Sequence, residues 1–271
     1  MSEIKVHIFH TGTVIVDRAI PLHEKNPLAV TGFFRGLDKK MTLPVSVYLI
    51  EHPKGLVLID TGWHSKYVRE RPHRFFGLLD GISTPVIQEG ESIDHRLAAL
   101  GLKDTDLDYL FFSHLDFDHT SGAELVSGAK KIMASEEEIA DADKLFFRYV
   151  KENWKMIDLQ PFSFSHTGIG PVGKSYDVFG DGSFLLVNTP GHSHGHCSAK
   201  ITGEGGRYVV LGGDAAYMPE SFSQRIIPGF TVSNALAKKS LEWLIECRAD
   251  PLCMGVYVNH DPTVEEQILE V

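Results

Sequence analysis

The segment Ser113-His114-Leu115-Asp116-Phe117-Asp118-His119 constrains this 271-residue chain more than any other. Four side chains able to bind a metal fall within six residues, directly after the apolar run 109–112. Strand-like alternation would point His114, Asp116 and Asp118 to one side and pack Leu115 and Phe117 on the other. His119 then stands where the chain turns into Thr120-Ser121-Gly122. Two carboxylates and two imidazoles buried together are costly unless a cation neutralises them. Imidazole nitrogen and carboxylate oxygen are donors that zinc and related ions take. The competing reading is a polar loop that caps a helix and leaves its aspartates in solvent.

Three further segments place a metal-type residue at the end of an apolar strand. Thr189-Pro190-Gly191-His192-Ser193-His194-Gly195-His196 follows the run 184–187. Its Pro-Gly turn can present one imidazole at the strand end. The other histidines stand behind it or in solvent, and His194 reads as a surface residue. In Leu211-Gly212-Gly213-Asp214-Ala215-Ala216-Tyr217 a carboxylate follows two glycines, a place from which it could bridge two ions. Val256-Tyr257-Val258-Asn259-His260-Asp261 ends another strand in histidine. Alone, each is an ordinary turn aspartate or strand-end histidine; repeated, they point to ligands converging on one edge of a sheet sandwich. His114, Asp116, Asp118, His119, His192, Asp214 and His260 are too many for one tetrahedral zinc and suit two ions with a shared ligand.

Elsewhere the pattern is α/β, with sheet in the middle, helices outside and two loosely similar halves. Runs 5–9, 13–16, 208–211 and 253–258 read as strands, and 45–51 with 56–59 as a hairpin around His52-Pro53-Lys54-Gly55. Helices are expected over 92–100, ending at Gly101, and over 233–248 with Ala237, Leu241, Leu244 and Ile245 at apolar spacing. Another should run from 136 to about 150, opened by a capping box at Ser135-Glu136-Glu137-Glu138. With no linker or repeat, residues 1–271 read as one domain. The stretch 21–43, with Phe33, Phe34 and Met41, reads as a long loop, either a functional cover or a solvated insertion. Its 21–41 part, with Phe75, Phe76, Leu78 and Leu79, either lines an acyl pocket or packs plain core.

A net charge of −10 argues against nucleic acid and anionic membranes as partners. Cys197, Cys247 and Cys253 form neither a disulfide framework nor a zinc ribbon. No apolar run approaches the roughly 20 residues of a membrane span, and residues 1–17 lack a signal-peptide core, so a cytoplasmic protein is expected.

On Leu58-Ile59-Asp60-Thr61-Gly62, residues 114–119 with Ser121-Gly122, residues 189–196, Asp214-Ala215-Ala216-Tyr217 and Asn259-His260-Asp261, the chain resembles the metallo-β-lactamase superfamily. Within it, the chain looks most like the N-acyl-homoserine lactone lactonases. The resemblance implies a four-layer αβ/βα sandwich and two divalent ions, zinc in the first instance. It implies that His114, Asp116 and His192 hold one ion, that Asp118, His119 and His260 hold the other, and that Asp214 bridges them together with a hydroxide. Asp60 and His196 would orient ligands from behind. The implied reaction is hydrolysis of a small-molecule lactone or ester, of the quorum-quenching type. Tyr217 would face the substrate carbonyl, and Asp118 would steer the nucleophile and pass a proton to the leaving alkoxide.

One position departs from the family pattern: Asp116 stands where the usual motif has histidine. Its added negative charge should lower the Lewis acidity of the first ion, and its oxygen donor admits Mn or Fe. The alternatives are a thioesterase or phosphodiesterase of the same superfamily, an iron redox centre, or a catalytically decayed metal-binding protein. The acidic charge disfavours a nucleic-acid phosphodiesterase. Oligomeric state stays open, a homodimer included.

Overall fold

The computed structural model describes residues 3–26, 28–32, 34–70, 82–145 and 148–271. The first sheet takes β1 (Lys5–Asp17), β2 (Lys40–His52), β3 (Gly55–Ile59), β4 (Ser83–Val86), β5 (Tyr109–Phe111), β6 (Ile132–Ser135) and β7 (Leu159–Phe162). The second takes β8 (Ser165–His166), β9 (Lys174–Asp177), β10 (Phe184–Asn188), β11 (Cys197–Thr202), β12 (Tyr208–Leu211) and β13 (Cys253–Tyr257); β14 (Gln267–Glu270) returns to the first. Their orders are β14-β1-β2-β3-β5-β6-β7, with β4 on β1, and β13-β12-β11-β10-β9-β8. The helices are α1 (Ile93–Ala99), α2 (Phe117–Thr120), α3 (Glu136–Lys144), α4 (Pro219–Ser223) and α5 (Asn234–Ala249).

Period-2 alternation explains the layering. Tyr48, Ile50, Val57, Ile59 and Phe111 of the first sheet share one core with Phe184, Leu186, Ile201, Val209 and Leu211 of the second. The intervening Val47, Leu49, Leu58 and Leu110 turn the other way, onto Ile93 and Leu97 of α1 and Ala142 of α3. Tyr208 and Val210 turn onto Ala237, Leu241 and Leu244 of α5. Helix, sheet, sheet, helix is the expected αβ/βα sandwich. No helix among the described residues is long and apolar enough to cross a membrane.

Several local expectations need correction. Runs 5–9 and 13–16 are one strand, β1, whose register against β2 shifts between His10 and Thr13. β2 starts at Lys40, so Met41 and Leu43 belong to a strand, not a loop. Segment 113–119 does not continue β5: Asp116 is the N-cap of α2, and Asp118 and His119 lie in its short helix. The helix expected to about 150 stops at Lys144. Ser135 Oγ does accept from Glu138 N, but the Glu138 carboxylate is spent on Leu115 N, Tyr149 Oη and Ser193 Oγ instead of closing the box. Tertiary pairing thus overrides local propensity. Phe33, Phe75, Phe76, Leu78 and Leu79 lie outside the described residues. Phe34 is exposed, whereas Leu22, Val30 and Met41 pack against the cluster holding Trp63, Phe117 and Tyr217.

Gly191 couples the second sheet to α5. Its φ is +138°, and a Cβ there would meet Ala237 N at 2.3 Å and Ala237 Cα at 2.4 Å. Gly191→Ala should therefore cost at least about 2 kcal/mol through backbone strain and overpacking. The check is a lowered denaturant midpoint at unchanged slope.

Candidate metal centre

β3 and β5 run parallel, as do β12 and β13, and β10 points the same way as β12. The residues after these strands therefore leave at one edge of each sheet. Cys197 N donates to Ser113 O at 2.9 Å and Ser46 N to Asn259 O at 3.0 Å, pinning the two edges together. All seven side chains singled out in the sequence meet there. His114, Asp116 and His192 offer donor atoms within 4.8 Å of one another; so do His114, His119 and Asp214, and Asp118, His119 and His260.

Asp214 faces both halves with separate oxygens. Its Oδ2 lies 3.9 Å from His114 Nε2 and 3.7 Å from His192 Nε2. Its Oδ1 lies 3.4 Å from both His119 Nε2 and His260 Nε2. Asp116 Oδ2 stands 2.9 Å from His192 Nε2 and 3.4 Å from His114 Nε2. Asp118 Oδ2 stands 3.5 Å from His260 Nε2. The four imidazoles are almost fully buried, while Asp116 and Asp118 are each 15% exposed and form the mouth.

Every imidazole is fixed from behind. His119 Nδ1 bonds Asp60 Oδ2 at 2.9 Å, His192 Nδ1 donates to Phe230 O at 2.9 Å, and His260 Nδ1 to Pro44 O at 2.7 Å. His114 Nδ1 donates to Ser113 Oγ at 3.0 Å, since that hydroxyl itself donates to Asp60 Oδ2. These bonds favour the Nδ1–H tautomer, so in the neutral form each Nε2 turns a lone pair inward. Asp60 adopts φ +62° directly after β3 and also accepts from Ser113 N and Asn259 Nδ2. A left-handed non-glycine residue costs about 1–2 kcal/mol, offset here by these donors. His196 Nε2 accepts Asp214 N at 2.9 Å, placing that aspartate.

Among the described residues, the buried His114 Nε2, His119 Nε2 and Asp214 Oδ1 make no hydrogen bond. An unsatisfied buried polar atom normally costs 1–3 kcal/mol or so; three aimed at one another fit a cation. Without one, protonation takes over part of that role. Burial would lower His119, but Asp214, Asp118 and Asp60 outweigh it and raise it to about 10. Burial, with the neighbouring His119, pushes His114 down to about 3.

Residues 41–256 match the metallo-beta-lactamase superfamily. The chain belongs to this superfamily. It is 28% identical to the N-acyl homoserine lactonase AttM of Agrobacterium fabrum over 266 residues, 97% of this chain and 95% of AttM. It superposes with a TM-score of 0.77 and 26% identity on a B. thuringiensis AiiA mutant holding N-decanoyl-L-homoserine at its active site, covering 97% and 95% of the two chains. An N-acyl homoserine lactone hydrolase with the product N-hexanoyl-L-homoserine at its catalytic metal centre gives 0.75 and 27%, covering 97% and 95%.

Tyr217 lies beside the centre, and His194 is the surface residue expected. The Tyr217 hydroxyl donates to Asp214 Oδ2, and its ring stacks on His260 at 4.9 Å. His194 is half exposed and pairs with Asp141. Two residues escaped the sequence reading. Arg148 grips Asp116 with two hydrogen bonds, and buried Glu138 accepts from both site loops. Glu138 was visible only as a cap residue. Arg148 lies 32 positions from Asp116 with no spacing signal; only an extra buried carboxylate calling for a counter-charge hinted at it.

The charge pattern is testable in chelator-treated protein. A folded pKa near 10, above the unfolded 6.5, means that the His119 proton stabilises the metal-free fold fully below pH 6.5. That contribution is lost as pH rises through about 10. Imidazole NMR titration should find His119 still charged at pH 8 and His114 neutral down to pH 5; a neutral His119 at pH 8 would contradict the charge assignment.

Proposed function

We propose that this protein is a two-ion lactone hydrolase acting on N-acyl-homoserine-lactone-like substrates, built as one domain over residues 1–271. The carrying observation is the inward aim of four Nε2 lone pairs toward Asp116, Asp118 and Asp214, in a chain aligned almost end to end with N-acyl homoserine lactonases. The single-domain reading draws support from β14, which pairs with β1, and from ligand-type residues supplied by both sheets. His114, Asp116 and His192 would hold one ion and Asp118, His119 and His260 the other, with one oxygen of Asp214 toward each. A set with four imidazoles suits zinc. When bound, such a pair of ions lowers the pKa of water toward neutrality and polarises an ester carbonyl.

The chain's own groups do the remainder. Burial and the Asp214 charge hold the Tyr217 phenol far above its ordinary pKa, so it remains a proton donor. Its single O–H goes to Asp214 Oδ2; once that oxygen serves an ion, the hydroxyl would turn to donate to the oxyanion that develops on the lactone carbonyl. Asp118, at the mouth, takes the proton of the attacking water and returns it to the ring oxygen as the carbon–oxygen bond breaks. The water oxygen ends in the new carboxylate, and the product is the open hydroxy acid.

Elemental analysis with a pH-indicator assay of lactone opening on the same sample tests this. About two ions per chain and chelator-sensitive turnover are expected. Two ions with turnover only of thioesters or phosphodiesters would overturn the substrate, and one ion or none without hydrolysis would overturn the function. Tyr217→Phe should lower kcat by about 100-fold; unchanged turnover would remove the phenol from the mechanism.

A further inference from the structure

Arg148 follows α3 and is 9% exposed. Its Nε donates to Asp116 Oδ1 at 2.6 Å and its Nη2 to Asp116 Oδ2 at 2.7 Å, a two-point fork. Its Nη1 donates to His192 O at 2.7 Å. The guanidinium lies 4.7 Å from the centroid of Phe230, whose carbonyl holds His192 Nδ1. One cation thus joins three segments of the centre. A planar fork fixes both position and rotation of a carboxylate, which a lysine cannot do.

The fork occupies one edge of Asp116 and leaves Oδ2 facing His192 Nε2 and His114 Nε2. The Asp116 carboxylate is thus ion-paired with Arg148 on one edge and faces the two imidazoles on the other. Its charge is met by a full opposite charge on the side away from the imidazoles. We propose that Arg148 is a positioning residue for the first metal position: it orients Asp116 Oδ2 as a ligand and cancels its charge. The Asp116–Arg148 pair then presents one oxygen donor of nearly zero net charge, as a neutral imidazole would present one nitrogen. The loss of Lewis acidity expected from Asp116 alone is thereby offset. This inference rests on the two-ion reading above.

The test is two-step zinc titration of metal-free protein against a chromophoric chelator, with circular dichroism of each variant. Arg148→Met should weaken the first position by about 10–100-fold, the usual effect of losing a ligand's supporting partner. The position formed by Asp118, His119 and His260 should keep its affinity. Arg148→Lys, which keeps the charge but not the fork, should give a smaller loss at the same position. If the Met variant does not fold, the Lys variant decides alone. Unchanged affinity at both positions would overturn the proposal. Equal loss at both would also overturn it, by assigning Arg148 to general packing of the loops. Fewer than two ions in the unaltered protein would instead overturn the two-ion reading itself.

Discussion

A histidine that donates from Nδ1 to a fixed acceptor has its Nε2 lone pair aimed by that acceptor as well as by its own rotamer. Here the acceptors are Asp60, Ser113 Oγ and the carbonyls of Phe230 and Pro44. They come from the end of β3, the end of β5, the loop before α5 and the middle of β2. The centre is therefore assembled only when both sheets are in register. A one-residue register slip exchanges the two faces of a strand. In β2 it would move Pro44 O away from His260 and swap Val47 and Leu49, packed toward α1, with Tyr48 and Ile50 of the inter-sheet core. Core packing and ligand aim thus depend on the same register.

The inner edge of the centre would be unstable without a second layer of polar ties. α3 supplies it from the first sheet's side. Ser135 Oγ donates to Gly195 O, Glu138 accepts from Leu115 N and Ser193 Oγ, and Asp141 accepts from His194 N. Both histidine-bearing loops are gripped by one helix end. The fit has no slack, since a Cβ on Gly195 would sit 2.1 Å from Glu138 N. Burial pushes the Glu138 carboxyl up, but three donors satisfy it. A buried acceptor with its partners in place costs little; with one missing it costs the full desolvation of that group. That asymmetry ties α3 to the loops.

The seven inner residues were legible because each is a polar side chain where an apolar strand ends, a pattern that survives even when the local geometry is misread. Segment 113–119 is a loop and a short helix where alternation suggested a strand, yet the same side chains arrive. The supporting shell was far less legible. Pro44 O and Phe230 O are backbone atoms and leave no mark on residue identity. Strands such as β9, Lys174–Asp177, and β11, Cys197–Thr202, carry too many polar residues to announce themselves by hydrophobicity. The early end of α3 is decided by Tyr149 and Arg148, whose partners lie 11 and 32 residues upstream, beyond the reach of any helical period.

Asp116 shows what a departure from a motif means physically. Taken alone, an aspartate in place of an imidazole adds a charge and a harder donor to a site that already holds Asp118 and Asp214. Taken with Arg148, it adds a dipole. The field at the inner atoms differs between these cases, because a guanidinium 2.6–2.7 Å from both carboxylate oxygens offsets part of their charge at the imidazole side. The arrangement has a structural cost, since a buried ion pair rarely gains enough to repay its own desolvation. What it yields is fixity: the fork, the His192 carbonyl and the Phe230 ring leave the carboxylate one orientation. A carboxylate in place of an imidazole is therefore interpretable only together with the charge that the fold places behind it.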